Sequence, residues 1–398
     1  MHTMAQTWPS VSQTIGVLLH LQGTAPSLTE LRDHLARHLP RLPRLTYYLR
    51  GPGLKARWAH NPAPNLETRV RELRIGPGDD HLSATVRTMM THPLPEQGPP
   101  WDLWLLHGYA PDGYALCYRA HHTMIDGSGV ISVLNRLFGA APTAPTAPRA
   151  TPSAASLAAY TGVIKDMLTS VTANGIWNAP DRPLTGIRNN DWAQVPTDLL
   201  RTAASPDGTS NDAFLAALAG ALRTWSAEHW PPAAKGPLPA AMMLNLRRAE
   251  EEDRPGNLFT FAPIPLPCHR PTLAGRLADV LAATAAAKSL AYRDAMRTLM
   301  DITPARAFYT LATHLTTPPR AILDTSHINF RKPLYYRGDP VTRVQSYTYL
   351  PRSHPASVLA CSYNGTTTVH FLTDAALPQI RRIPALWTEA VESLAALQ

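Results

Sequence analysis

The sequence predicts an α/β (α+β) protein built of two lobes. Segments with strand patterns and segments with helical patterns recur in both halves of the 398-residue chain, without a detectable internal repeat. An Ala/Pro/Thr-rich stretch from Ala140 to about Ser153 cannot bury a core and favours extended backbone. We therefore expect an N-terminal lobe over residues 1–140, a linker and crossing segment over 141–196, and a C-terminal lobe over 197–398.

In the first lobe, short apolar runs predict strands, and capped apolar stripes predict helices. Ser27 and Glu30 have the spacing of a capping box, which indicates that a helix starts at Leu28. Residues 1–12 show neither pattern, and we expect them to be poorly ordered. Strands are expected over 15–21, 45–49, around Trp58, and over 70–75, 103–107 and 114–118, and helices over 28–39 and 82–91.

The second lobe shows the same alternation of elements. Ser210 is a good N-cap for a long apolar helix, and Asn364-Gly365 is a type I′ hairpin signal between two strands. Strands are expected over 240–246, 258–264, 344–350, 358–363 and 367–372, with mixed structure over 321–330. Helices are expected over 156–169, from 210 through Trp225, and over 273–290, with a second helix following from there to about Leu315. A last helix is expected from Pro384, with Leu386, Ala390, Leu394 and Leu397 on its apolar face.

The composition is that of a globular protein with an excess of positive charge. The chain is 44% hydrophobic and 17% charged, and its formal net charge is +8. This charge favours anionic partners such as a CoA phosphate, an acidic carrier protein or an anionic lipid surface, although an Arg-rich proteome would produce it as well. No dense Lys/Arg run with interleaved aromatic residues is present, so we expect no nucleic-acid partner.

Cysteine and histidine spacing predicts neither disulfides nor a metal site. Cys117, Cys268 and Cys361 are far apart and odd in number. His34 and His38 have helical i,i+4 spacing but lack a nearby third ligand. No apolar run reaches about eighteen residues, and no signal-peptide pattern opens the chain, so we expect no transmembrane segment and a cytoplasmic location.

The most informative stretch is residues 118–129, Tyr-Arg-Ala-His-His-Thr-Met-Ile-Asp-Gly-Ser-Gly. A buried strand is predicted before it and an amphipathic helix after it, so the motif lies on a strand-to-helix turn. Such turns place side chains at the edge of a rigid scaffold. Each histidine alone would more often be a structural residue. The combination of two histidines, an aspartate and a glycine favours a functional site.

Each residue of this turn has a plausible chemical role. A neutral imidazole of His121 or His122 can accept a proton from a hydroxyl or an amine near pH 7. Asp126 can orient an imidazole or brace the turn through a buried charge pair. Gly127 permits a tight backbone, and the helix that begins near Ser128 directs free N–H groups back toward the site.

The motif resembles the signature of the thioester-dependent acyltransferases, which include chloramphenicol acetyltransferase, peptide-synthetase condensation domains and wax ester synthase/diacylglycerol acyltransferases. The last group is the most similar. This sequence departs from the pattern of that group in two places. The N-terminal Asp-containing helix of the group is shortened or absent here, and residues 325–330 do not match the group's Ser-Asn-Val-Pro-Gly-Pro segment. The matching segments are Pro99 to Trp104, Asn211-Asp212, Leu244 to Arg247, Gly256-Asn257 and Ser362 to Gly365.

The resemblance implies two chloramphenicol-acetyltransferase-like lobes, each a mixed sheet flanked by helices, with a channel at their junction. It implies an O-acyltransferase that moves an acyl group from acyl-CoA or a carrier protein to a hydrophobic alcohol, without a further cofactor. His122 would be the general base, and His121, Asp126 and Gly127 would complete the catalytic turn. Ser128, Asn211, Asp212, Arg247 and Asn257 are the expected substrate-binding residues.

Two other functions stay open at this point. The same His122 could serve an amine acceptor, as in amide-forming condensation domains of secondary metabolism. The scaffold could also be a non-catalytic module that binds a carrier protein or a hydrophobic ligand. The two changes from the family pattern leave the acceptor undefined, and peripheral lipid contact is compatible with each of these functions.

Overall fold

The computed structural model describes residues 1–9, 11–139, 156–177, 183–252, 254–351 and 353–398. The predicted Ala/Pro/Thr-rich stretch from Ala140 to about Ser153 therefore lies outside the described residues. Contacts group the described chain into two compact units. Unit 1 takes its residues from 1–149, 247–258 and 328–349, and unit 2 takes the others. The domain boundaries at 1–140, 141–196 and 197–398 stay a prediction.

Strands and helices alternate along both units. Within the described residues the strands are β1 (Thr14–Gln22), β2 (Tyr47–Arg50), β3 (Arg57–His60), β4 (Val70–Arg74), β5 (Trp101–Ala110), β6 (Gly113–His121), β7 (Arg188–Pro196), β8 (Leu238–Asn245), β9 (Phe259–Leu266), β10 (Leu323–Asn329), β11 (Tyr335–Tyr336), β12 (Asp339–Tyr347), β13 (Ala356–Tyr363) and β14 (Thr366–Asp374). The helices are α1 (His2–Thr7), α2 (Leu28–His38), α3 (Pro43–Thr46), α4 (Leu66–Arg69), α5 (Asp79–Met89), α6 (Gly127–Phe138), α7 (Leu157–Ser170), α8 (Thr197–Ala204), α9 (Ser210–His229), α10 (Pro231–Ala234), α11 (Leu273–Lys288), α12 (Leu290–Ile302), α13 (Ala305–Leu315) and α14 (Ile383–Ala395).

Unit 1 is built on a mixed six-stranded sheet with the order β11-β12-β1-β6-β5-β4. β4 and β5 are parallel, whereas β1 pairs antiparallel with both β6 and β12. β1 is buried from Thr14 through Leu21 because it has a neighbour on each side, which explains its continuous apolar run. β12 comes from the second half of the chain, and its Val344 is the register partner of Leu19.

Unit 2 contains a second mixed six-stranded sheet with the order β7-β14-β13-β10-β8-β9. β8 and β10 are parallel, and β13 and β14 form an antiparallel hairpin. α9 is buried along most of its length, with Phe214 and Trp225 in the core beside Trp387 of α14. The prediction of an α/β fold with mixed sheets flanked by helices is confirmed. No helix of the described chain is long and apolar enough to span a membrane.

Two elements near chain ends differ from the prediction because tertiary contacts decide them. Residues 1–12 were expected to be poorly ordered, but α1 forms there, and Gln6 Oε1 accepts a hydrogen bond from the Gly53 N–H at 2.5 Å. α14 buries Ile383, Trp387, Val391 and Leu394. Of the predicted stripe only Leu394 is buried, whereas Leu386 and Ala390 are half-buried and Leu397 is exposed, because the buried face is centred on Trp387.

Two helix boundaries also differ. Thr209, not Ser210, is the N-cap of α9, because its hydroxyl and the carboxylate of Asp212 form a capping box. The segment that was expected to run as one helix to about Leu315 is divided into α12 and α13. The division falls before Pro304, a residue that disfavours helical backbone in the residue that precedes it.

The β13–β14 turn gives a direct test of the fold. Asn364 and Gly365 have φ values of 47° and 77°, as a type I′ turn requires. We expect Gly365→Ala to lower the free energy of unfolding by about 1–2 kcal/mol, because an L side chain is strained there. The control is Gly236→Ala, whose added Cβ meets nothing within 4 Å. Equal unfolding midpoints for the two variants in urea would contradict this turn.

Candidate active site

The His-His turn lies between the central sheet of unit 1 and helix α6. His121 is the last residue of β6, and its N–H donates to the Pro100 carbonyl at 2.9 Å. Its Nδ1 lies 2.9 Å from the hydroxyl of Thr123, two residues further along the turn. Asp126 is the N-cap of α6. The turn is therefore fixed at one end by a strand and at the other by a capped helix.

His122 is held through its backbone on both sides. Its N–H donates to the Gln13 carbonyl at 2.8 Å. Its own carbonyl accepts a hydrogen bond from Asn257 Nδ2 at 2.6 Å. The ring of Tyr349 meets the imidazole edge to face, with ring centroids 5.2 Å apart. These contacts position an imidazole that is half-buried.

Burial controls the protonation of both histidines. It lowers the pKa of His122, and the negative charge of Asp126 offsets only part of this effect. Burial, together with the neighbouring His122, lowers the pKa of His121 to about 4. Both imidazoles are therefore neutral at pH 7. A neutral imidazole is the form that can accept a proton from an attacking hydroxyl.

Asp126 is buried and accepts hydrogen bonds on both carboxylate oxygens. Oδ1 accepts from the Ser128 hydroxyl and from the Gly129 N–H, each at 2.8 Å. Oδ2 accepts from Arg247 Nη2 at 2.9 Å and from the Leu258 N–H at 2.8 Å. Burial by itself raises the pKa of a carboxyl, but the charge of Arg247 and these hydrogen bonds outweigh it, so the pKa of Asp126 is lowered.

Arg247 joins this turn to a segment that lies far away in sequence. It is only 8% exposed, and besides Asp126 it donates to the Ser128 hydroxyl and to the carbonyls of Glu251, Arg254 and Gly256. The segment that contains these carbonyls belongs to unit 1. A buried guanidinium with its donors satisfied in this way acts as a clamp between Asp126 and residues 251–256.

Backbone pairing completes the contact between the two segments. The Gly256 N–H donates to the Met124 carbonyl at 2.9 Å, and Gly256 forms an isolated parallel bridge with Ile125. Gly256 has a φ of 86°, a conformation that suits glycine. Gly127 is close-packed, since an added Cβ would lie 3.2 Å from Ile328 Cγ2. The structure thus brings together His121, His122, Asp126, Gly127, Ser128, Arg247 and Asn257, all of which the sequence analysis identified.

Asn211 and Asp212 lie in unit 2 and have structural contacts there. Asp212 is fully buried, and its carboxylate accepts from Lys288 Nζ at 2.5 Å and from the Thr284 hydroxyl at 2.7 Å. Asn211 Nδ2 lies 3.3 Å from Met242 Sδ. These contacts explain both residues as parts of the start of α9, and their substrate-binding role stays a prediction.

Two contacts of His122 were missed by the sequence analysis. Gln13 acts through its backbone carbonyl, so its side-chain type carries no signal. Tyr349 follows β12, and only the pairing of β12 with β1 brings it to the site. The buried pair of Arg119 with Asp102, at 2.9 Å, was also missed, although an Arg and an Asp directly beside neighbouring predicted strands could have indicated it.

The histidine and cysteine side chains outside this turn have structural surroundings in the described residues. No group of three or more His, Cys, Asp or Glu side chains is placed there to hold a metal ion. His34, one of the i,i+4 pair, has its Nε2 2.7 Å from the Leu137 carbonyl. The three cysteines are free and buried, and burial raises the pKa of Cys117 and of Cys268 to about 12, so these thiols stay protonated at neutral pH.

A His-His-x-x-x-Asp-Gly turn at the end of a central strand, on a fold with two mixed sheets, places this chain in the class of thioester-dependent acyltransferase folds. Sequence comparison identifies the group within that class. The model of the wax ester synthase/diacylglycerol acyltransferase catalytic domain matches residues 7–174, and the model of the WS/DGAT C-terminal domain matches residues 255–398. The chain belongs to this family, as its motifs indicated.

Individual relatives are distant. A Mycobacterium tuberculosis (strain H37Rv) protein, provisionally named as a diacylglycerol O-acyltransferase, is 25% identical over 228 residues, which are 53% of this chain and 50% of that protein. The chain thus spans about half the length of the curated relatives it matches.

Solved structures show the same fold over nearly the whole chain. The wax ester synthase/diacylglycerol acyltransferase from Marinobacter aquaeolei VT8 is 18% identical, with a TM-score of 0.63, covering 97% of this chain and 95% of that one. A starter condensation domain of rhizomide synthetase in complex with C8-CoA is 15% identical, with a TM-score of 0.66, covering 98% and 92%.

The Asp126–Arg247 pair can be tested by stability measurements. We expect Asp126→Ala to lower the free energy of unfolding by about 3–5 kcal/mol, because it leaves a buried guanidinium without its carboxylate. The matched control is Arg201→Ala, which removes one partner of the exposed pair with Asp198 and should change stability by less than about 1 kcal/mol. Urea unfolding curves that shift equally for both variants would show that the buried pair is not a clamp.

Proposed function

We propose that this protein is an O-acyltransferase that moves an acyl group from a thioester to an alcohol, with His122 as the general base. The observation that carries the proposal is the half-buried, neutral imidazole of His122, which is fixed by Gln13 and Asn257 at a turn braced by Asp126 and Arg247. Membership of the acyltransferase family supports it.

In the first step, His122 takes the proton of the acceptor hydroxyl while the oxygen attacks the thioester carbonyl carbon. A C–O bond forms, and the carbonyl oxygen becomes an oxyanion. General-base assistance of this kind contributes roughly 10²–10⁴-fold to the rate. Backbone N–H groups at the start of α6, around Gly127 and Ser128, are the proposed donors to the oxyanion.

In the second step, the tetrahedral intermediate collapses and the C–S bond breaks. The protonated His122 gives its proton to the departing thiolate, so the products are an ester and a free thiol. Thiols have a pKa near 8.5, so the leaving group needs little acid assistance. Neither a covalent acyl-enzyme nor a cofactor is needed in this scheme.

The remaining site residues act through position. Asp126 and Arg247 hold the turn, and Asn257 holds the carbonyl of His122. His121 supports the turn through Pro100 and Thr123.

The donor is an acyl thioester, in line with the C8-CoA complex of the similar condensation domain. A hydrophobic alcohol is the proposed acceptor, and the buried, free cysteines fit a reducing cytoplasm.

The test is thiol release from acyl-CoAs of several lengths, with a panel of alcohols and amines. We expect release that depends on an alcohol, and we expect His122→Ala to reduce it by roughly 10²–10⁴-fold. His314→Ala, which changes an exposed histidine of α13, is the control and should leave the rate unchanged.

The alternatives give different results in the same assay. A preference for amines would replace the ester product with an amide. If neither acyl-CoA nor an acyl-loaded carrier protein gives acceptor-dependent release, the protein is a binding module and the proposal is wrong. Release that persists in His122→Ala would remove His122 from the mechanism.

A further inference from the structure

One segment of unit 1 has an unusually one-sided charge. Residues 34–66 contain six Lys or Arg residues and no Asp or Glu. Arg50, Lys55 and Arg57, three of these cations, lie on the hairpin that β2 and β3 form. All three are exposed, and within the described residues none of them has a carboxylate at salt-bridge distance.

The hairpin presents two of these cations side by side. β2 and β3 form a two-stranded antiparallel sheet that is separate from both six-stranded sheets, and Arg50 is the direct register partner of Arg57. Directly opposed residues share a face, and like charges in this arrangement destabilise a hairpin. Tyr48 lies on the same face, opposite the small side chain of Ala59. An anion bound at this face would remove the repulsion between the arginines.

The tip of the hairpin is held in place mainly by contacts of its backbone, and of its cations only Arg57 takes part, with Nη1 donating to the carbonyls of Lys55 and Ala56 at 3.2 Å. The Gly51 carbonyl lies 3.0 Å from His2 Nε2 and 3.3 Å from Gln6 Nε2, and the Gly53 N–H donates to Gln6. These contacts leave the side chain of Lys55 unused. A binding site whose backbone is already ordered loses less entropy when a ligand binds.

The hairpin also contacts the catalytic turn. The Leu49 N–H lies 3.4 Å from the sulfur of Met124, which is two residues after His122. Trp58 packs toward Gly256, where an added Cβ would lie 3.1 Å from the indole. Arg50 follows Leu49 directly. The arginine pair is therefore on the order of 20 Å or less from His122, a span that an extended pantetheine arm can bridge.

From this placement we infer that Arg50, Lys55 and Arg57 form a subsite for the phosphate groups at the nucleotide end of the acyl-CoA donor. The inference rests on the proposed function. Arginine forks bind phosphate oxygens in pairs, and CoA carries a diphosphate and a 3′-phosphate. The ring of Tyr48 beside the arginines offers a surface for the adenine. A carrier protein lacks the adenine and the 3′-phosphate, so a pair of arginines beside an aromatic ring matches CoA more fully.

Direct binding tests the subsite independently of catalysis. Calorimetry would measure the Kd of CoA and of pantetheine for the full chain, for Arg50→Gln/Arg57→Gln, and for the control Arg306→Gln/Arg331→Gln, which removes two exposed arginines elsewhere. In the hairpin variant, Arg50→Gln/Arg57→Gln, we expect the Kd of CoA to rise roughly tenfold or more and the Kd of pantetheine to stay unchanged. The control should bind CoA as the unchanged protein does.

A second measurement separates the subsite from the proposed reaction. With acyl-CoA the hairpin variant should show a raised KM, while its kcat and its kinetics with acyl-pantetheine should stay the same.

If CoA binds equally to the hairpin variant and to the unchanged protein, the subsite is wrong even if the enzyme is active. A selective loss of activity with acyl-loaded carrier protein would also overturn it, since the hairpin would then dock that protein. If the hairpin variant loses affinity for CoA as expected but the unchanged protein shows no turnover, the subsite stands and only the proposed function is contradicted.

Discussion

The buried ion pair between Asp126 and Arg247 is the interaction on which the site depends. It joins the N-cap of α6 to a segment that enters unit 1 from the second half of the chain. Burying one of these charges without the other would cost several kcal/mol, so the two segments have to come together when the unit folds. The same segment contributes Asn257, which holds the carbonyl of His122. The position of the imidazole is thus a consequence of the charge pair.

The protonation state of His122 follows from opposing electrostatic effects. Burial lowers its pKa, and the negative charge of Asp126 raises it by less. If Asp126 were not itself compensated by Arg247 and by N–H donors, it would stabilise the protonated imidazole more strongly and leave less of the neutral form. The clamp therefore contributes to both geometry and protonation: it fixes the turn, and it limits the field that the carboxylate exerts on the ring.

Local patterns in the sequence predicted the parts of the fold that local physics decides. The strand before His121, the capped helix after it and the Asn364-Gly365 hairpin depend on neighbouring residues, and the structure contains them. Contacts between distant segments were not predictable in this way. Nothing in the sequence near β12 indicates that it pairs with β1 and carries Tyr349 to His122. Arg247 follows a predicted strand, where an arginine is commonly solvated, so its burial against Asp126 could not be read from its neighbours.

The central claim is that a neutral, half-buried His122 acts as the base. The most direct measurement is the pH dependence of kcat/KM for acceptor-dependent thiol release, which reports the ionisation of the free enzyme. Because a lowered pKa keeps the imidazole unprotonated to lower pH, we expect the rate to hold through the ordinary histidine pKa of about 6.5 and to fall only at more acidic pH. A rate that already falls as the pH drops toward 7 would contradict the account.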